Sequence, residues 1–182
     1  STGGGFALQS GYWGGDATAA LAVAGAWSTK APMLTARNGL SLGALNGIIY
    51  AAGGWNGSHR TVLEAYDTVN NTWTAKVSMP GPQTHAASGV INGILYLAGG
   101  TDYSVEINTF RAYNIAADTW TGQPTIPAMP TIRQTAAGGV INSKLYVAGG
   151  INTQNQANIP PIATLEVFDP TANGGVGGWS TL

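Results

Sequence analysis

The chain has 182 residues, of which only 8% are charged, and a formal net charge of −1, whereas an ordinary soluble domain carries roughly 25% charged residues. Its seven Lys and Arg are scattered, so no basic stripe offers a footprint for nucleic acid, and no apolar run approaches the roughly 18 residues that cross a bilayer. The absence of cysteine removes disulfides, thiolate metal sites and cysteine nucleophiles.

Residues 1–35 open without a regular pattern. They have neither a basic start nor an unbroken apolar core, so they do not read as a signal peptide. Tyr12-Trp13-Gly14-Gly15 is like the end of a hairpin found further on, and Ala26-Trp27-Ser28-Thr29 is like the start of a last strand.

From Met33 the chain repeats itself, and a period of this length marks a repeat architecture. Leu45-Asn46-Gly47-Ile48-Ile49-Tyr50-Ala51-Ala52-Gly53-Gly54 returns as Ile91-Asn92-Gly93 to Gly99-Gly100, and as Ile141-Asn142-Ser143 to Gly149-Gly150. The glycine doublets begin at 53, 99 and 149, so they are 46 and then 50 residues apart. Asn-Gly and Asn-Ser tolerate positive φ and predict tight hairpin turns. The strands before them are rich in small residues (Gly43, Gly89, Gly139), which suits a place where backbones approach closely.

After each doublet comes a variable loop, then a strand that ends in an aromatic, then Trp. Tyr66 precedes Trp73 by seven and Tyr113 precedes Trp120 by seven. In the third unit the loop swells over Ile151–Ala163, and Gly174 to Gly178 lengthens the last turn, so Phe168 and Trp179 are eleven apart. No stretch reads as a helix.

Four strands per unit, the doublet, and the aromatic followed by Trp together resemble the kelch repeat, over roughly residues 27–182. The resemblance implies an all-β fold of kelch-type β-propeller blades, each of four antiparallel strands. The expected division is a degenerate or partial first blade over 1–35, blades over 36–82 and 83–130, and a blade with longer loops over 131–182. Tryptophans 27, 73, 120 and 179 would mark four last strands. About four blades is fewer than the six or seven usual in the family, so the chain is expected to be part of a larger ring or assembly, or a half that closes with another copy.

The doublets are not phosphate loops, because a strand and not a helix N-terminus stands behind them. The repeated Tyr and Trp read as packing between blades. His59 and His85 lack the further ligands a metal site needs, so neither metal nor cofactor is expected. The copper-radical oxidases built on a kelch-like propeller cross-link a cysteine to a tyrosine, which this chain cannot do. Glu64 and Glu166 hold equivalent strand positions; as a carboxylate pair they would suit a glycosidase, but their repetition speaks for structural hydrogen bonding.

Function is expected in the loops. The resemblance implies a site on one face of the ring, built from the loops after the doublets and those entering the first strands. The residues at those positions are Arg37, Trp55, Asn56, His59, Gln83, Thr101, Tyr103, Arg133 and Asn152, with Arg60, Asp102 and Ile151 beside them. Arg37 and Arg133 would stand at the rim of a central pocket and Trp55 and Tyr103 nearby as anchors, so the ligand would be an acidic peptide or acidic glycan. The leading expectation is a non-catalytic module that binds a protein, peptide or glycan. The alternatives are a self-associating structural subunit of an extracellular or surface assembly, and a carbohydrate-active enzyme of the secreted kelch-like type. Low Lys with abundant Asn, Thr and Gly favours an extracellular or cell-surface setting over the cytoplasm. Asn56-Gly57-Ser58 and Asn70-Asn71-Thr72 are candidate glycan acceptors in that setting.

Overall fold

The computed structural model describes residues 26–103, 105–122, 125–154 and 161–182. The partial blade expected over 1–35 therefore lies, up to residue 25, outside the described residues, as do residues 155–160 of the third unit's long loop. Trp27, expected to mark a last strand, is fully exposed and belongs to no strand. Its sequence context differs from that of Trp73 and Trp120: position 20, seven residues earlier, is Ala where theirs is Tyr.

The first sheet is β1 (Ser41–Leu45), β2 (Ile48–Ala52), β3 (Leu63–Asp67) and β4 (Thr72–Lys76). The second begins with β5 (Ala87–Ile91) and β6 (Ile94–Ala98). A small hairpin, β7 (Thr101–Asp102) and β8 (Val105–Glu106), then interrupts it before β9 (Phe110–Asn114) and β10 (Thr119–Gly122). The third is β11 (Ala137–Ile141), β12 (Lys144–Ala148), β13 (Leu165–Asp169) and β14 (Gly178–Thr181), with a tight turn at Ala172–Gly175, where Asn173 and Gly174 have positive φ, between the last two. Each is a four-stranded antiparallel meander in chain order, apart from the inserted hairpin. These are the expected kelch propeller blades.

The turn chemistry works as the sequence dictates. Asn46, Asn92 and Asn142 have φ of 50°, 48° and 49°, and Gly47, Gly93 and Ser143 follow at 79°, 79° and 58°. Positive φ at both central residues is the primed turn whose twist matches paired strands. This fixes the register: Tyr50, Tyr96 and Tyr146 stand opposite Gly43, Gly89 and Gly139.

The core lies between the sheets. One layer joins Tyr50, Leu63 and Met79 to Leu95, Leu97 and Tyr113; the next joins Tyr96, Phe110 and Met129 to Leu145, Val147 and Phe168. Neither face of a single sheet is polar enough to stand alone, so stacking removes both from water. The first strands β1, β5 and β11 lie side by side at the inner edge. There Ser41 Oγ donates to Ala86 O at 2.9 Å and Ser88 Oγ to Leu42 O at 2.7 Å.

At the outer edge Trp73, Trp120 and Trp179 pack on Tyr66, Tyr113 and Phe168, with ring centroids 5.0, 5.0 and 5.3 Å apart. Their indole N–H groups donate to the carbonyls of Ala31, Val77 and Pro127 at 2.9, 2.8 and 3.3 Å. Those carbonyls belong to the segments that enter each sheet, so the outer strand is tied back to the preceding connection.

Candidate functional site: the loop face

At the end of each sheet where the doublet lies, two segments meet: the entry to the first strand and the loop after the doublet. Asn38 pairs with Trp55, Thr84 with Thr101 and Gln134 with Ile151 through reciprocal backbone hydrogen bonds of 2.8 to 3.1 Å. Neighbouring units are joined there as well, by Gly54 N–H to Gln83 O at 3.0 Å and Gly100 N–H to Arg133 O at 2.7 Å. The expected loops therefore share one face.

Trp55, Asn56 and Tyr103 are exposed on this face, and His59 is half-buried. Trp55 is 43% exposed and Tyr103 is 73% exposed, with Val105 beside it on the same hairpin. Tyr103 sits at the hairpin tip with φ of 45°, a conformation a bulky side chain adopts only when its surroundings impose it. His59 Nδ1 lies 3.0 Å from Thr84 Oγ1, and Thr84 Oγ1 donates to Gly54 O at 3.1 Å. Arg60 Nη2 donates to Asn56 O at 2.8 Å, and Asn152 Oδ1 accepts from Gln154 N–H at 3.0 Å. Thr101 is buried by its pairing with Thr84.

Arg37 and Arg133 differ from expectation. Both side chains are fully buried, and each is held inside its own blade. Arg37 donates to Glu64 Oε2, Gly53 O, Thr35 O and Ala51 O at 2.8 to 2.9 Å. Arg133 Nη2 lies 2.7 Å from Glu166 Oε2, a charge contact without hydrogen-bond alignment, since Oε2 has no hydrogen-bond partner. Its Nη1 donates to Gly149 O and Thr164 O at 2.9 and 3.0 Å. A buried charge is tolerated only when paired, and the repeated Glu supplies that pairing. These two arginines are thus spent on the scaffold beneath the doublets, and the acidic ligand inferred from them loses its anchors. Gln83 is buried in the same place and donates to Gly99 O at 2.6 Å and Thr109 O at 3.2 Å.

The second blade solves the same problem with the charges rearranged. Where the others have Thr35-Arg37-Glu64 and Thr131-Arg133-Glu166, it has Gly81-Gln83-Arg111. Arg111 Nη1 donates to Gln83 Oε1 at 2.6 Å. A Cβ at Gly81 would stand 3.0 Å from Arg111 Nη2, so the missing side chain makes room for the guanidinium. Burial pulls the Arg111 pKa down, and the charge of Asp102 partly offsets this. The exchange is visible in the aligned sequence as a Gly and an Arg out of place.

Glu106 carries no such signal in the sequence. It is buried and accepts from Gln134 Nε2 at 2.9 Å and from Thr153 Oγ1, while its carbonyl accepts from Gln154 Nε2. It thereby knits the second blade's loop to the third's. Burial works against its ionised form, but the hydrogen bonds from Thr153 and Gln134 together outweigh that and hold its pKa below 4.5, the ordinary value. The ionised form therefore favours the folded loops; its contribution is complete above pH 4.5 and is lost as pH falls through the lower folded-state value. Hydrogen-exchange protection at residues 101–103, 105–106 and 151–154, taken relative to the intrinsic rate at each pH, is expected to fall in that acid range, and Glu106→Gln should flatten the dependence. An unchanged pH profile in the variant would show that another group controls these loops.

Among the described residues no three His, Asp or Glu side chains gather as a metal site requires. A groove along the outer strands of the first sheet, lined by Ile48, Tyr50, Ala65, Asp67, Thr72, Thr74 and Lys76, lies apart from the loop face. Its carboxylate, Asp67, is held below its ordinary pKa by hydrogen bonds from the Asn70 backbone and side chain and from Val69 N–H.

Residues 36–80 and 84–127 each match the family model of the Kelch motif. A solved structure titled "Structure of YjhT" is similar at 27% identity with a TM-score of 0.60, over 69% of this chain and 37% of that one. The chain thus spans little more than a third of the length of that relative. No curated protein matches it.

Proposed function

Since the chain belongs to the kelch-repeat β-propeller family, we propose that it is a non-catalytic module that binds a protein or peptide on its loop face. The observation that carries this reading is the pair of exposed aromatics, Trp55 and Tyr103, raised on adjacent loops of that face. Large aromatics on an otherwise polar, hydrogen-bonded surface are the residues that concentrate binding energy at interfaces. The scaffold beneath is held by buried pairs and inter-blade bonds, so the loops can vary without disturbing it.

The test is selection of ligands from a displayed peptide library, followed by Trp55→Ala and Tyr103→Ala. Each variant is expected to weaken the selected peptides by about 1–3 kcal/mol, the range of an ordinary hot spot, with the melting temperature unchanged. Peptides that bind both variants as well as the parent would rule this face out. Selection of glycans but not peptides would redirect the reading to sugar binding.

A further inference from the structure

One side chain on the loop face has its proton placed by its neighbours. Thr84 is buried, and the single proton of its hydroxyl goes to Gly54 O at 3.1 Å, because a carbonyl can only accept. Toward His59 Nδ1, 3.0 Å away, the same oxygen is left to accept. The neutral imidazole therefore carries its proton on Nδ1 and its lone pair on Nε2. Nε2 makes no hydrogen bond among the described residues. The buried side-chain atoms left without a partner are Arg60 Nε, Arg133 Nε and Glu166 Oε2, so His59 Nε2 opens to solvent as an acceptor.

The same loop sets that acceptor beside an aromatic. Arg60 N–H donates to Gly54 O at 2.8 Å and Asn56 N–H to Ser58 O at 3.1 Å, two bonds that bracket Trp55 and His59 as an antiparallel pair. Residues bracketed in this way share no bond of their own, and their side chains stand on one side with Cβ atoms about 4.5–5.5 Å apart. Trp55 is pinned on its other flank by the reciprocal bonds to Asn38, and Gly57, with φ of 68°, closes the tip between the pair. The whole arrangement lies where the first sheet meets the second, since Gly54 follows β2 and Thr84 leads into β5.

We propose that His59 sets the specificity of the loop face: together with Trp55 it selects peptides in which an apolar side chain stands next to a neutral N–H or O–H donor, which Nε2 receives. This rests on the reading of that face as a peptide site. Trp55 supplies area for the apolar group, and the lone pair beside it supplies direction. A ligand carbonyl or carboxylate in the same place would set its own lone pairs against that of Nε2. Thr84 is a positioning residue, because from its buried place it decides which ring nitrogen holds the proton.

Two measurements test this separately. In the free protein at about pH 8, above the range in which imidazoles usually titrate, ring-nitrogen NMR should show His59 as the Nδ1–H tautomer alone. Thr84→Ser should keep that tautomer and Thr84→Val should release it to a mixture. An Nε2–H tautomer, a doubly protonated ring, or a Thr84→Val spectrum identical to the parent's overturns the proposal. For binding, the probes are the peptides selected from the displayed library. In turn, each of their side-chain hydroxyls and amides is replaced by an apolar isostere and each backbone amide by an ester. One such deletion should weaken binding to the parent about fivefold, the size of a single neutral hydrogen bond, and leave binding to His59→Phe unchanged. His59→Phe should itself weaken the intact peptides by a similar factor at an unchanged melting temperature. Deletions that cost the same in the parent and in His59→Phe overturn the proposal and leave the peptide site standing. A library that yields no binders overturns the site and this refinement together.

Discussion

Arg133→Ala will lower the unfolding free energy by about 3–5 kcal/mol, the cost of leaving a buried charge without its partner. The guanidinium is fully buried against Glu166 and donates to the carbonyls of Gly149 and Thr164, so the truncation strands one carboxylate and two carbonyls in a dry place. Urea unfolding would measure the loss directly. The paired replacement Arg133→Met with Glu166→Leu removes both charges and should recover a large part of it, because two matched apolar side chains need no compensation. A single variant as stable as the parent would mean that the site is hydrated and the pairing is worth little. Such a loss of stability is the opposite of what an arginine at the rim of a central pocket, holding an acidic ligand, would give.

Gly53→Ala is the second large effect, about 2–5 kcal/mol when the left-handed backbone penalty is added to overpacking. Gly53 has φ of 64°, and a Cβ there would stand 2.0 Å from Gln83 O and 2.9 Å from Met79 Cε. The doublet is therefore glycine for two reasons, its dihedral angle and the approach of the next blade's entry strand. Gly57 separates them: its φ is 68°, but nothing lies within 4 Å of its Cβ position. Gly57→Ala should cost only the backbone share, about 1–2 kcal/mol. Equal losses in the two variants would remove the packing half of the explanation.

Local chemistry carried most of the fold. Asn46-Gly47 and its relatives specify a primed turn, the turn fixes the register, and the register puts each Tyr opposite a Gly. The repeated Glu64 and Glu166 read correctly as structural because a residue that recurs in equivalent places serves the blade. Arg37 and Arg133 recur in step with them and serve the blade in the same way. Which end of a long side chain meets solvent depends on the depth of the carbonyls around it, and spacing along the chain does not encode depth. Glu106 was out of reach for another reason, since its partners Gln134 and Thr153 are 28 and 47 residues away in sequence. Trp55 and Tyr103 were legible as exposed because nothing in a polar loop competes for them.

The blades are fastened to one another at two separated places. At the inner rim run the Ser41 and Ser88 hydroxyl bonds, and at the outer rim the indoles of Trp120 and Trp179 reach the connections that arrive from the preceding blade. Together with the bonds from Gly54 N–H to Gln83 O and Gly100 N–H to Arg133 O at the loop face, these rims leave no single axis about which one sheet could swing against the next, so the hinge motions that carry signals through many proteins have nowhere to act. A partner seated on the loops would change little behind them. Occupancy of such a face is conveyed by what it blocks or brings near, and the frame itself stays mute.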